Sequence, residues 1–241
     1  MKEAAMPDKA SDKPLPRLIA SLAIALLACN GCSVIKPAGA PFPAQYSLDY
    51  PAQPAAGMTT TGTAAARPLI EPPTLIVSPP HATAGFDTSR MAYVREPYKL
   101  EYFAQNRWID PPARMLAPLI VASLAPGNTF HAVVTTPSSA SGDFRLDTEI
   151  IRLQHEFTAQ PSRVRFTLRA YLINDKTRAV LASREFEAVV TAETADPRGG
   201  AVAANGAVQK VLADLSAFCQ EVARATWIAR QGNADQGRTA P

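Results

Sequence analysis

Between residues 163 and 173 the sequence RVRFTLRAYLI alternates without a break. Val164, Phe166, Leu168, Ala170 and Leu172 fall on one side, and Arg163, Arg165, Thr167, Arg169 and Tyr171 on the other. A period of two is that of a strand with one dry face and one wet face. The segment 144–157, FRLDTEIIRLQHEF, alternates as well, but its apolar set changes side. Phe144, Leu146 and Ile150 share one face, whereas Ile151, Leu153 and Phe157 share the other. One extra residue near Ile150-Ile151 restores a single apolar face, so the pattern predicts a β-bulge there. Further strands are predicted at 74–80, 91–95, 98–105, 130–136 and 179–193. Two stretches change to the helical period. Met115, Leu116, Leu119, Ile120 and Leu124 make a stripe over about 111–125, capped by Asp110, with Pro111 and Pro112 in its first turn and a kink expected at Pro118. Val208, Val211, Leu212, Leu215, Phe218, Cys219 and Val222 make another over about 200–229, preceded by Gly199-Gly200 read as a loop. Strands wet on one side, together with two such helices, predict an α+β fold: a mainly antiparallel sheet with both helices on one face.

The N-terminus is patterned differently. Lys2, Lys9, Lys13 and Arg17 precede LIASLAIALLA, residues 18–28, a run without charge. As a helix it rises about 16 Å, roughly half of a ~30 Å hydrocarbon core, and so reads as a secretory signal peptide rather than a span. Leu26-Leu27-Ala28-Cys29 resembles the Leu-x-(Ala/Gly/Ser)-Cys box of bacterial lipoproteins, which makes Cys29 the lipid attachment site. Cys32, after Gly31, is the alternative. The spacing Cys29-Asn30-Gly31-Cys32 also matches a redox pair, but that reading needs a βαβ setting, and Pro-rich chain follows instead. Residues 29–73 read as a Pro/Ala/Thr-rich tether with a possible first strand at 45–50. Residues 74–229 then form the folded domain and 230–241 a flexible tail.

Charge narrows the function. Residues 1–28 hold four basic and three acidic side chains, so the 24 Lys and Arg and 21 Asp and Glu of the chain fall to 20 and 18 after processing. A near-neutral domain excludes nucleic acid as the partner and provides no polybasic membrane patch. The histidines His81, His131 and His155 stand in separate segments, without metal-ligand spacing. No P-loop and no nucleophile elbow occurs, and no cofactor is implied. Asp147 and Glu149 share a strand face and could do acid–base work, with His155 nearby in sequence. The plainer reading is a solvated face opposite the arginines of the next strand. Cys219, on an apolar stripe, reads as an inert core thiol. Trp108, just before a helix, reads as a structural anchor.

The order of features is similar to that of the ABC-type transport auxiliary lipoproteins. LIVSPP, then GFDTSRMAYVREPYKLEYFAQNRWIDPPARML, carries the resemblance through Arg90, Tyr93, Tyr98, Tyr102, Trp108, Pro112 and Leu116, read as structural or interface positions. It covers about residues 29–229, with 51–73 as an insertion. The resemblance implies a non-catalytic lipoprotein facing the periplasm from the outer membrane. It also implies a homo-oligomer, anchored by its lipid and acting with a mammalian-cell-entry domain protein and an ABC permease/ATPase in lipid transport. Asn30 after Cys29 is not the Asp that retains such lipoproteins at the inner membrane. Strands 74–80 and 91–95, with the 98–108 segment, are expected to carry the self-association surface. The alternative is a lipoprotein that binds a lipid or small ligand alone, which calls for an enlarged apolar cavity. A hydrolase calls for a cleft that gathers Asp147, Glu149 and His155.

Overall fold

The structure is a computed structural model and describes residues 42–50, 72–126 and 128–238. In chain order the elements are β1 (Ala44–Tyr46), β2 (Thr74–Val77), β3 (His81–Ala82), β4 (Arg90–Val94), β5 (Leu100–Trp108), α1 (Pro112–Leu124), β6 (Ala132–Thr135), β7 (Phe144–Glu156), β8 (Arg163–Asn174), β9 (Val180–Thr191) and α2 (Pro197–Arg238). Among the described residues the strands form one sheet of nine.

β7 is the spine of that sheet. β8 pairs with it antiparallel from Phe144↔Asn174 to Glu156↔Arg163, and β9 continues the meander. Along the other edge of β7, β2, β3 and β4 follow one another, all parallel to it, at Leu75↔Phe144, His81↔Glu149 and Ala92↔Gln154. The chain breaks at Pro79-Pro80 and turns at 84–87 without reversing direction, so these pieces act as one interrupted strand. β6 flanks β2 in parallel, β5 flanks β4 antiparallel, and β1 flanks β5 in parallel. The α+β class stands, with a mixed sheet that is mostly antiparallel.

The bulge lies where the change of side puts it. Ile150 opposes Leu168 and Arg152 opposes Thr167, which leaves Ile151 as the extra residue. Thr83 pins it: its N–H donates to the Ile150 carbonyl and its hydroxyl to the Ile151 carbonyl, both at 2.9 Å. Beyond the bulge the apolar positions return to the helix side. Phe144, Leu146, Ile150, Leu153, Phe166 and Leu168 then join Leu116, Ile120, Leu212, Leu215 and Phe218 in one core cluster. Each such side chain, fully buried, contributes about 1.5–3 kcal/mol.

Several boundaries differ from expectation. Pro111, not Asp110, is the N-cap of α1, with φ −49° and ψ 137°. A residue that precedes proline is pushed out of the helical region, and Pro112 therefore forces Pro111 to stay extended. Asp110 lies one residue further out and pairs with Arg114 at 3.5 Å. α1 runs on through Pro118, which lies on its exposed face and removes one backbone hydrogen bond there. Gly199-Gly200 is not a loop but the first turn of α2, which begins at Pro197. The Asp196 carboxylate caps it, accepting from the Gly199 N–H at 2.7 Å. At Gly200 a Cβ would lie 2.6 Å from the His155 ring, so only glycine lets the helix sit so close. α2 continues to Arg238, nine residues past the expected end and into the expected tail. At the other end, β1 registers Tyr46 against Trp108, and Leu48 enters the core at 6% exposure. Asn205 of α2 holds this segment by accepting from the Asp49 N–H and donating to the Ser47 carbonyl. Residues 44–49 thus pack with the folded unit. Cys29, Cys32, the signal-peptide run and residues 51–71 lie outside the described residues.

Candidate functional site

The aromatic and arginine positions of the 90–112 segment fall in several places. Trp108 is 4% exposed, in the core cluster, and its backbone N–H donates to the Ser89 carbonyl at 2.7 Å. Pro112 is buried at the first position of α1. Arg90 stacks on the Tyr102 ring at 3.8 Å, and the Tyr102 hydroxyl donates to the Gly85 carbonyl at 2.9 Å. Gly85, at φ 94°, turns the chain there. Tyr93 packs on Phe103 at 4.5 Å and carries Arg95 over its ring. Tyr98 differs from all of these. It is fully exposed at the tip of the β4–β5 hairpin and left-handed at φ 66°. A bulky side chain adopts that conformation at a cost of about 1–3 kcal/mol. The surface expected along strands 74–80 and 91–95 is not there, because Leu75, Ile76, Val77, Met91 and Ala92 are buried. β7 covers one edge of these strands and the helices cover their face.

The sheet face away from the helices is built of matched charges. Glu156 accepts from Arg165 Nε at 2.7 Å, Arg163 Nε at 3.0 Å and Gln154 Nε2 at 3.0 Å. Burial alone raises a carboxyl pKa, but these donors outweigh it and hold Glu156 below the usual carboxylate range. Arg165 also reaches Glu187, which accepts from the Thr167 hydroxyl at 3.1 Å. Arg169 lies between Glu149 at 3.4 Å and Glu185 at 3.0 Å. The ladder is thus largely satisfied by itself. Beside it a groove of about 620 Å³ crosses the face, floored by Gln154, Glu156, Arg163 and Arg165 and walled by the 97–100 turn.

The acid–base candidates do not converge. Glu149 and Asp147 oppose Arg169 and Tyr171 on the wet face. His155 has the same odd number as Asp147 and Glu149, but the bulge at Ile151 turns it to the helix side, where it is 3% exposed. Its Nε2 lies 2.9 Å from the Ser162 hydroxyl, its Nδ1 lies against Gly200 without a partner, and its ring stacks on Phe157. Burial pushes its pKa below the ordinary histidine value, partly opposed by Asp196. Cys219 is fully buried, and burial pushes its thiol up to about 12. Among the described residues no His, Cys, Asp and Glu side chains group as metal ligands.

The model of the family described as "ABC-type transport auxiliary lipoprotein component" matches residues 46–216. The chain belongs to that family. The auxiliary lipoprotein's fold is similar to that of a Xanthomonas campestris protein of the DUF330 family, at TM-score 0.60 and 20% identity, over 76% of this chain and 95% of that one. An uncharacterized protein of known structure is also similar, at TM-score 0.54 and 14% identity, over 74% of this chain and 99% of that one. At these identities the likeness is one of fold. No curated protein matches the sequence. The matched region begins inside β1 and ends in α2, and so spans the segment from β4 to the start of α1.

Proposed function

We propose that this auxiliary lipoprotein is a non-catalytic adaptor of an envelope lipid-transport system of the ABC and mammalian-cell-entry type. It faces the periplasm from the outer membrane, anchored by lipid on Cys29, with Cys32 as the alternative, and works as a homo-oligomer. The observation that carries the reading is the state of the two sheet faces. One is packed by helices and the other is a ladder of mutually satisfied ion pairs, with Asp147 and Glu149 separated from His155 by the sheet itself. Such a body offers a surface of fixed shape and no convergent set of reacting groups, which suits an adaptor. The groove is open, whereas a stand-alone lipid carrier calls for an enclosed apolar cavity. The transport energy would then be supplied by a permease/ATPase on separate chains. The exposed tip at Tyr98 and Leu100 is what remains of the surface expected for self-association.

The test is isolation of the tagged, lipidated full chain from envelope membranes in mild detergent. The expected result is a particle several chains in mass that carries permease, ATPase and a mammalian-cell-entry domain protein. A monomer that brings none of these and turns over an ester or glycan substrate would sink the adaptor reading. Retention of lipidation in Cys29→Ser would move the anchor to Cys32.

A further inference from the structure

We propose that the groove on the wet face is a binding site for an anionic amphiphile. A phosphate or carboxylate headgroup would sit on its arginines, with the first part of a hydrocarbon chain along its apolar wall. This goes beyond the adaptor reading and does not depend on it. The site originates in the bulge. In a regular strand Ile151 and Arg152 would point to opposite faces. With Ile151 as the extra residue, both are half-buried and both line the groove. The bulge therefore sets an apolar side chain and a cation next to each other on a face that alternation would have made uniformly polar. The two Thr83 hydrogen bonds hold this geometry from the neighbouring strand.

The rest of the lining follows the same division. Phe86, Val94 and Leu100 extend the apolar wall from Ile151, and Leu100 keeps 36% of its surface exposed. On the charged side stand Lys99, Arg152, Arg163 and Arg165, with Glu156 as the acid among them; Lys99 is paired with Glu96 at 3.4 Å and Glu101 at 4.0 Å just outside the lining. Glu156 is already taken by Arg163 and Arg165, and Arg165 is shared with Glu187. Arg152 has no ion-pair partner among the described residues, and Arg163 meets Glu156 through Nε alone, which leaves its terminal nitrogens to donate. A half-buried, unpaired guanidinium beside an isoleucine, with the terminal nitrogens of Arg163 also free to donate, is matched by an anion that carries a hydrocarbon tail. Such a ligand uses both halves of the lining, which a free anion or a neutral hydrocarbon does not. A volume of about 620 Å³ suits a headgroup with a short length of chain. The open side lets the remaining tail leave, so the groove makes contact with an amphiphile rather than enclosing it.

Hexyl phosphate, which is too short to form micelles at binding concentrations, is the probe. The lipidated full chain in phosphatidylcholine nanodiscs is titrated calorimetrically, with empty nanodiscs as reference and inorganic phosphate, hexanol and heptanoate as parallel ligands. Saturable binding of hexyl phosphate and heptanoate, each about tenfold tighter than inorganic phosphate or hexanol, is expected. Arg152→Gln should weaken hexyl phosphate by about tenfold at an unchanged melting temperature, since it breaks no ion pair. Leu100→Gln should weaken hexyl phosphate while leaving inorganic phosphate as it was. Lys210→Gln, exposed on α2, should change neither. Equal affinity for inorganic phosphate and hexyl phosphate would reduce the groove to a simple anion site and overturn the proposal. So would Arg152→Gln binding as the parent does, Lys210→Gln weakening as much as Arg152→Gln, or an absence of saturation. Loss of self-association in Arg152→Gln without amphiphile binding in the parent would make the groove a protein interface instead.

Discussion

Leu168 and Arg169 are neighbours on β8 and face opposite ways. Leu168 has no exposed surface and sits among the helices, whereas Arg169 is held between Glu149 and Glu185 in water. Both faces of the sheet are ordered, but by different forces. On the helix side order follows from the removal of apolar area and from close packing, which any loss of volume weakens. On the wet side it follows from geometry among charges, where the exposed pairs are weak because water competes for them and only those of the buried Glu156 are stronger. The first face therefore carries stability. The second is free to carry recognition, because its exposed side chains can be exchanged at small cost to the fold.

That contrast can be tested from its strong end to its weak one. Trp108→Ala removes an indole from the packed side, next to β1 and the start of α1, and should cost about 3–5 kcal/mol, read as a lower urea midpoint. Unchanged stability would mean that the ring acts elsewhere. Glu156→Gln removes the negative charge and one of the two acceptor oxygens that Arg163 and Arg165 share, and should cost about 1–3 kcal/mol, since these are charge-assisted bonds at a partly buried carboxylate. Raising salt should narrow the difference from the parent, which it should not do for Trp108→Ala.

His155 lies on the packed side yet can acquire a charge. Its pKa is lowered in the folded protein, so the unfolded chain binds the proton more readily. Its contribution to stability is complete above pH 6.5, the ordinary histidine value, and is lost as pH falls through 6.5 toward the lower folded value. Unfolding free energies measured from pH 7.5 to pH 5.5, a range of about two units around the ordinary histidine pKa, should therefore decline. In His155→Leu that decline should be shallower. An equal slope in both would remove His155 as its source. The smallest effect is expected on the wet face, where Arg169→Ala should leave the melting temperature unresolved from that of the parent.

Much of this was legible along the chain. The change of apolar side at Ile150-Ile151 announced the bulge, because a period-two pattern cannot switch faces without an extra residue. The start of α2 was misplaced at about residue 200, although Asp196-Pro197 carries the signal of a cap and a first helical residue. The Gly-Gly that follows conceals it, since glycine reads as a loop until His155 is known to lie beneath it. The groove was not legible, because Phe86, Leu100, Arg152 and Arg163 come from four segments that only the sheet brings side by side.

By itself the sequence determined the periods and the sidedness. It set which positions are strand or helix, which side chains turn inward, and that the wet face of β8 is lined with arginine. Those properties depend on local backbone sterics and on the apolar area that each segment must bury. Only the tertiary structure decided that β2, β3 and β4 run parallel along a single edge of β7. It also decided that β1 closes on Trp108, that His155 lies on the far side from Glu149, and that Arg152 is left without an acid. These depend on register between segments distant in sequence, which is set by the best joint packing of the whole sheet against its helices and is encoded in no one stretch of chain.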